Sequence, residues 1–316
     1  MKILILAGGF ATRLWPLSEK HAKPLLLLAG KTILAHLLEK IPQASDIALL
    51  TNKKFESAFR LELDSLGRKN VEIFCEDAYS DGEKLGALGA ISVACQELKI
   101  NDNLLVLAGD NLLPELQISD LECDSDSARI AVRQLEKKDE ARKFGVVEVA
   151  GEKVIGFEEK PDSPKSTLVS TGFLFLGKNT LPIVHEYAKK SPDALGGIFP
   201  ELLRKGVSVS AVKVGGEWFD IGSFETYLGA HKSLQLKDVV LGKNVQEKNS
   251  TYSGKVFLGE NVVVENCTLH DVIVYPGTVL KDCHITTSVI DEYCDLTGLD
   301  LSQKLVRNGV KFGEEY

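Results

Sequence analysis

After Lys237 the texture of this chain changes, and that change constrains the fold more than any single motif. Val239-Val240-Leu241-Gly242, Val256-Phe257-Leu258-Gly259, Val262-Val263-Val264, Val272-Ile273-Val274, Val279-Leu280 and Val289-Ile290 are short β-branched runs punctuated by Gly, Asn and Asp. They recur about every six residues, with no helical stripe before the end. A unit this short cannot bury an apolar face alone, so each coil has to stack on the next. The expectation over residues 237–316 is a short left-handed, hexapeptide-type β-helix.

Upstream the rhythm is different. Ile3–Ala7, Ile47–Leu50, Val71–Cys75 and Leu104–Ala108 read as strands; Ile33, Leu34, Leu37, Leu38 and Ile41, then Leu88, Ile91, Ala94, Cys95 and Leu98, recur with helical spacing. Leu104–Ala108 has no polar face, as expected in the middle of a sheet covered on both sides. From Ala128 to Val214 strands dominate, interrupted by a helical pattern at Leu181–Lys189; another follows at Phe224–Leu234. The reading is an α/β, Rossmann-like domain over residues 1–236 with a mainly parallel mixed sheet. Ligands of such sheets sit at the carboxyl ends of strands, which puts Gly8 and Asp110 at one crevice.

With 37 Lys and Arg against 45 Asp and Glu, the net charge is −8, which argues against broad binding to nucleic acid or an anionic membrane. Met1–Ala7 stops at a glycine pair and reads as a buried strand rather than an export signal. No apolar run approaches the roughly 18 residues of a spanning helix. The six cysteines form no CxxC pair and read as reduced thiols in a cytoplasmic protein, while Cys267-x-x-His270 and Cys283-His284 match no zinc framework and read as coil packing.

The chemistry concentrates in one string, Leu6-Ala7-Gly8-Gly9-Phe10-Ala11-Thr12-Arg13-Leu14-Trp15-Pro16-Leu17, followed by Ala22-Lys23-Pro24-Leu25. A strand runs into a glycine pair, whose N–H groups can form an anion-binding nest, and then into a loop with Arg13 and Lys23. It has neither the spacing of a Walker P-loop nor that of a dinucleotide fingerprint. Further strings follow in order: Glu83-Lys84-Leu85-Gly86-Ala87, Gly109-Asp110-Asn111, Phe144-Gly145-Val146, Glu158-Glu159-Lys160-Pro161, Ser170-Thr171-Gly172 and Trp218-Phe219-Asp220-Ile221-Gly222.

Together these strings resemble the sugar-1-phosphate nucleotidylyltransferases, over roughly residues 1 to 235. Ala11 and Ala22 stand where that family usually has Gly and Pro. The resemblance implies nucleotide contacts at Leu6, Ala7, Gly8, Gly9, Thr12, Arg13, Glu83, Gly86 and Asp110. It implies sugar-phosphate contacts at Gly145, Glu159, Lys160, Thr171, Gly172 and Trp218. Asp110 and Asp220 would hold Mg²⁺, and Arg13, Lys23 and Lys160 would be the catalytic cations. The substrates implied are an NTP and a sugar-1-phosphate, most like glucose-1-phosphate with dTTP or UTP. A guanylyltransferase acting on mannose-1-phosphate or a related sugar, with Glu83 accepting from guanine, is the alternative. A regulatory sugar-nucleotide-binding subunit is the non-enzyme reading, disfavoured by the retained charged residues, and a second, acetyltransferase activity in the β-helix ranks below both. Because every such string ends by Ser223, the tail is expected to be dispensable for the chemistry and to serve stability or a homo-oligomer.

Overall fold

The structure, a computed structural model, describes residues 1–193 and 195–313. Its contacts divide the chain into two compact units: Met1–Gly9 with Leu34–Asp220, and Phe10–Ile33 with the residues from Ile221 on. The sequence strings suggest a division at residue 236. The contacts instead group the segment 10–33, and the helix Phe224–Leu234, with the C-terminal strands.

The first unit is built on one mixed sheet. Its strands are β1 Lys2–Leu6, β2 Asp46–Asn52, β3 Val71–Glu76, β4 Leu104–Ala108, β6 Ser127–Gln134, β7 Gly145–Ala150, β8 Lys153–Glu159, β9 Leu168–Leu176 and β10 Ser208–Lys213. Two short strands, β5 Asn111–Leu112 and β11 Phe219–Asp220, pair apart from it. The order across the sheet is β3-β2-β1-β4-β9-β6-β10-β8-β7. The parallel part is the wing β3-β2-β1-β4 together with β6-β10. The other pairings are antiparallel, because β7 and β8 form a hairpin turned by Gly151 (φ 66°) and β9 runs back between β4 and β6. In β1, Ile3, Leu4 and Ile5 are at most 1% exposed, as a strand covered on both faces must be. Each such side chain contributes roughly 1.5–3 kcal/mol of burial.

Two helices leave only a faint trace in the sequence. Glu56–Ser65 buries just Phe59 and Leu63 among charged neighbours, too thin a stripe to stand out. Ile198–Arg204 carries Pro200, which reads as a breaker but sits in the first turn, where a missing N–H costs nothing.

In the second unit the strands after Lys237 are short, parallel and arranged in ladders. One ladder runs through Val239↔Val256, Phe257↔Ile273, Ile273↔Val289 and Val289↔Leu305. Others run through Gln246↔Val263↔Val279↔Asp295↔Lys311 and Thr251↔Thr268↔His284↔Asp300. Successive coils are therefore about 16 residues long and visit three faces, close to the short recurrence in the sequence. Several corners use left-handed residues, among them Asn244, Asn249, Asn261, Asn266 and Asp282, a conformation Asn and Asp tolerate. Their side chains form a ladder: Asn244 donates to Asn261 at 3.1 Å, and Asn266 to Asp282 at 3.0 Å. The interior is apolar, with Val256, Leu258, Val264, Leu269, Leu280, Ile285 and Ile290 buried. Cys267 and Cys283 are part of that packing, their thiols donating to Glu265 and Lys281 carbonyls at 3.2 and 3.1 Å.

Candidate active site

In the first unit, two candidate positions, Gly8 and Asp110, lie just past the carboxyl ends of parallel strands. Leu6 is in register with both Leu50 and Ala108, and its carbonyl accepts from the Gly109 N–H at 2.9 Å. Gly8 and Asp110 thus follow neighbouring strand ends, as the crevice argument expects. A Cβ on Gly8 would lie 2.9 Å from Glu76 Oε1, so a side chain there would push that carboxylate aside; Gly9 has open space around it. The Gly8 carbonyl accepts from Asn52 Nδ2 at 3.0 Å. Glu76 is buried, and its Oε2 accepts from the Leu85 N–H at 2.8 Å. Burial pushes the Glu76 carboxyl up, against the pull of that N–H and of Lys84. Glu76 and Asn52 escape a motif reading. Their one signal is that a buried polar residue ends each strand.

Residues 79–89 are shaped by their own chain. Glu83 Oε2 accepts from the N–H groups of Tyr79 and Ser80 at 2.8 and 3.0 Å, a capping box. Gly86 has φ 78°, and a Cβ there would sit 2.6 Å from Asp193 Oδ1 and 2.7 Å from the Pro192 carbonyl. Chain packing is therefore enough to require this glycine.

The aspartates come together through strand pairing. Asp220 on β11 lies opposite Asn111 on β5, so Asp110 and Asp220 belong to one small hairpin-like patch. Asn111 is the missed residue at its centre. It is buried, its Nδ2 donates to Asp110 Oδ1 at 2.8 Å, and its Oδ1 accepts from Trp218 Nε1 at 2.7 Å. The Trp218 ring packs on Phe144, with centroids 5.0 Å apart. Trp218 thus orients the carboxylate patch through its indole N–H and at the same time supports the chain just before Gly145.

The cation side lies on β7, β8 and the bend in β9. Gly145 is paired with Glu159; a Cβ on it would meet Phe157 at 2.3 Å and Glu159 Oε2 at 3.1 Å. Adjacent strand residues face opposite ways, and Glu158 is taken up by Lys165 at 2.6 Å. Glu159 instead stands 3.7 Å from Lys160 Nζ, both side chains being exposed. Lys160 has φ 45°, costly for a residue with a Cβ, and its N–H donates to the Phe144 carbonyl at 3.0 Å. Such an outlier turns the side chain out of the strand and points to a functional position. Thr171 is 1% exposed and its hydroxyl donates to the Ala131 carbonyl at 3.1 Å. At the irregularity in β9, Gly172 has φ 80° and lies against Ala108; a Cβ on it would be 2.9 Å from that of Ala108.

Thr12, Arg13 and Lys23 belong to the second unit. Thr12 and Arg13 are exposed on a short 3-10 turn anchored by buried Leu14 and Leu17, while Lys23 is half-buried. Ala11 is left-handed (φ 49°), the conformation that glycine would take without strain. Ala22 has φ −63°, close to the value a proline fixes.

The model of the family described as nucleotidyl transferase matches residues 2–237. This chain belongs to that family. A glucose-1-phosphate thymidylyltransferase of Streptomyces antibioticus is 28% identical over 95% of this chain and 85% of its own length. A UTP–glucose-1-phosphate uridylyltransferase of Synechocystis is 27% identical over 83% of the chain and 70% of its own length. The bifunctional protein GlmU of Methanocaldococcus jannaschii is 29% identical over 83% of the chain, which spans only 61% of that longer relative. A solved structure, a putative glucose-1-phosphate thymidylyltransferase from Bacillus anthracis in complex with a sucrose, superposes with a TM-score of 0.64 at 24% identity, covering 75% of this chain and 96% of that one. That likeness supports the fold. The family reading made from the motifs holds, and the nucleotidyl transferase is a sugar-1-phosphate enzyme. Among the described residues no helix is long and apolar enough to cross a membrane.

Proposed function

We propose that this nucleotidyl transferase joins a thymidylyl or uridylyl group to glucose-1-phosphate. The observation that carries this most is the patch in which strand pairing sets Asp220 opposite Asn111, beside Asp110. Two hard carboxylates that leave room for water and phosphate oxygens suit Mg²⁺, so Asp110 and Asp220 would hold the ion. When bound, it supplies charge neutralisation at the reacting phosphates. Gly8 and Gly9 offer N–H groups, and Arg13 a fork of donors, to the triphosphate. Lys23 adds a compact charge for the phosphates. Lys160, with Glu159 and the Gly145 and Gly172 backbones, orients the sugar phosphate. A phosphate oxygen of the sugar attacks the α-phosphorus, the bond to the bridging oxygen breaks, and pyrophosphate leaves. The attacking oxygen is already anionic, so alignment and charge stabilisation are the main requirements.

The base is read from Glu83. Both acceptor positions a guanine would need belong to a carboxylate whose Oε2 is engaged by two backbone N–H groups. This favours a pyrimidine nucleotide over the guanylyl alternative, and the names of two relatives run the same way. The C-terminal coils are read as a left-handed β-helix, supported by their all-parallel ladders, and the protein as a homo-oligomer. The test is pyrophosphate release across a grid of NTPs and sugar-1-phosphates. The expected result is highest kcat/KM for dTTP or UTP with glucose-1-phosphate; preference for GTP with mannose-1-phosphate would replace this reading with the alternative.

A further inference from the structure

The segment that carries Arg13 and Lys23 is fastened to the C-terminal coils and to the helix Phe224–Leu234 at closely spaced points on both sides of Lys23. Before it, Glu19 Oε1 accepts from Arg307 Nη2 at 2.6 Å, and His21 Nε2 lies 2.9 Å from Asp291 Oδ1. After it, the Leu27 N–H donates to Tyr275 Oη at 3.0 Å, and the Leu27 carbonyl accepts from Tyr227 Oη. The two phenol oxygens are 3.0 Å apart, so Tyr275 donates its own proton to Tyr227 and the ring of hydrogen bonds closes. Two residues on, the Ala29 N–H donates to His231 Nδ1 at 3.2 Å. Burial pushes His231 down to about 4, which keeps it neutral and able to accept.

Apart from the exposed Glu19–Arg307 pair, these contacts are shielded from solvent. Tyr227, Tyr275 and Asp291 are at most 1% exposed, and the His21 ring packs on Tyr275 at 5.3 Å. Asp291 is itself fixed by its coil. Its Oδ1 accepts from the Glu292 N–H at 2.8 Å, and its carbonyl from Thr278 Oγ1 at 2.8 Å, while its Oδ2 is buried with no partner. A buried carboxylate with so few donors depends on the imidazole, and losing that partner leaves an uncompensated charge. Burial pulls the His21 imidazole down, but its hydrogen bond to Asp291 and the charges of Asp291 and Glu292 outweigh it, so the imidazole is held above its usual range. Buried hydrogen bonds of this kind define one conformation of the segment, whereas exposed pairs leave many.

We propose that Asp291 and Tyr275, in the C-terminal coils, are positioning residues for nucleotidyl transfer: through His21 and Leu27 they clasp the loop of residues 10–33 and fix the conformation in which it presents Lys23 and Arg13 to the nucleotide. This rests on the role given above to those two cations. The coils then act on the reaction without touching a reacting atom, and the loop is held by a part of the chain that the substrate strings do not reach.

The test uses the full chain with Asp291→Asn, Tyr275→Phe and His21→Gln, read by steady-state kinetics and by amide hydrogen exchange. The expected result is a rise in NTP KM of roughly tenfold or more from loop misplacement. The sugar-phosphate KM should stay within about twofold, because Lys160 sits elsewhere. Exchange should accelerate across residues 10–33 and stay unchanged across residues 104–112. A His21→Gln/Asp291→Asn double variant should be no worse than either single one, since the two act as a unit. Should Asp291→Asn fail to fold, Tyr275→Phe, which removes one hydroxyl and no charge, carries the same comparison. Unchanged exchange in the loop overturns the clasp, and a loosened loop with unchanged NTP KM overturns the positioning role. An Arg13→Ala variant with wild-type NTP KM would remove the nucleotide-side reading of the loop, and the exchange result then decides the clasp alone.

Discussion

The aspartate patch and the loop of residues 10–33 are both short polar segments, and they are held by different means. The patch is local to its unit. Asp110 follows β4, whose neighbours β1 and β9 are core strands, and the short β5–β11 ladder is joined by the side-chain link through Asn111 and Trp218. The loop, by contrast, buries Leu14, Leu17 and Leu26 in its own unit and takes its polar partners from residues more than 190 positions away, such as Tyr227, Tyr275, Asp291 and Arg307. A sheet end can be precise because its scaffold is adjacent in the ladder; a loop of this length becomes precise only where something else over-determines it.

The sharpest way to break that comparison is at the patch. Asp110→Asn and Asp220→Asn are each expected to lower turnover at least about a hundredfold with unfolding temperature nearly unchanged, since each removes charge stabilisation worth several kcal/mol. Near-normal Mg²⁺-dependent activity in either variant would sink the assignment. Truncation after Gln235 attacks the loop instead. Motif order alone makes the tail dispensable for the chemistry, but the loop's partners at Tyr275, Asp291 and Arg307 go with it. Turnover of the soluble truncated chain is therefore expected to fall by roughly a hundredfold, and full turnover there would show that the loop holds its place unaided.

Lys160→Ala and Arg13→Ala separate the two substrates. Loss of a charged hydrogen bond, about 1.5–3 kcal/mol, should raise the sugar-phosphate KM roughly ten- to hundredfold for the first and the NTP KM for the second. The reverse pattern would exchange their roles. Trp218→Phe keeps the packing on Phe144 but removes the N–H to Asn111. It is expected to raise the Mg²⁺ concentration for half-maximal rate about tenfold, the size usual for an orienting group behind a metal ligand, and an unchanged Mg²⁺ requirement would leave Trp218 with packing alone.

The smallest effect is in pH. His21 faces Asp291 and Glu292 from the coils and the Tyr275 ring, with Glu19 on its own segment engaged by Arg307. Its folded-state pKa is raised, so the stability it contributes is fully present below the unfolded value of about 6.5 and is lost as pH rises through the higher folded value. The unfolding-temperature gap between wild type and His21→Gln should therefore be wider at pH 6 than at pH 9. A gap that grows with pH would mean that His21 is not the charged partner of Asp291.

Much was legible in the chain itself. The strand at Leu104–Ala108 and the helix at Phe224–Leu234 follow from apolar runs and periods, because local burial leaves a local pattern. The family follows from strings whose residues are contiguous, from Gly8-Gly9 to Trp218-Phe219-Asp220. What the chain could not display are partners brought together only by folding. Asn111 gains its place when β11 pairs with β5, and Glu76 when β3 aligns with β2 beside Gly8. The two hydroxyls of Tyr227 and Tyr275 meet across 48 positions, and His21 and Asp291 across 270. The segment 10–33 reads as part of a nucleotide-binding domain, yet its contacts place it with the coils. Sequence alone determined the family and named the candidate residues for its chemistry, since charge and glycine are properties of single positions. The tertiary structure decided what holds them still, because a buried hydrogen bond depends on which groups lose water together.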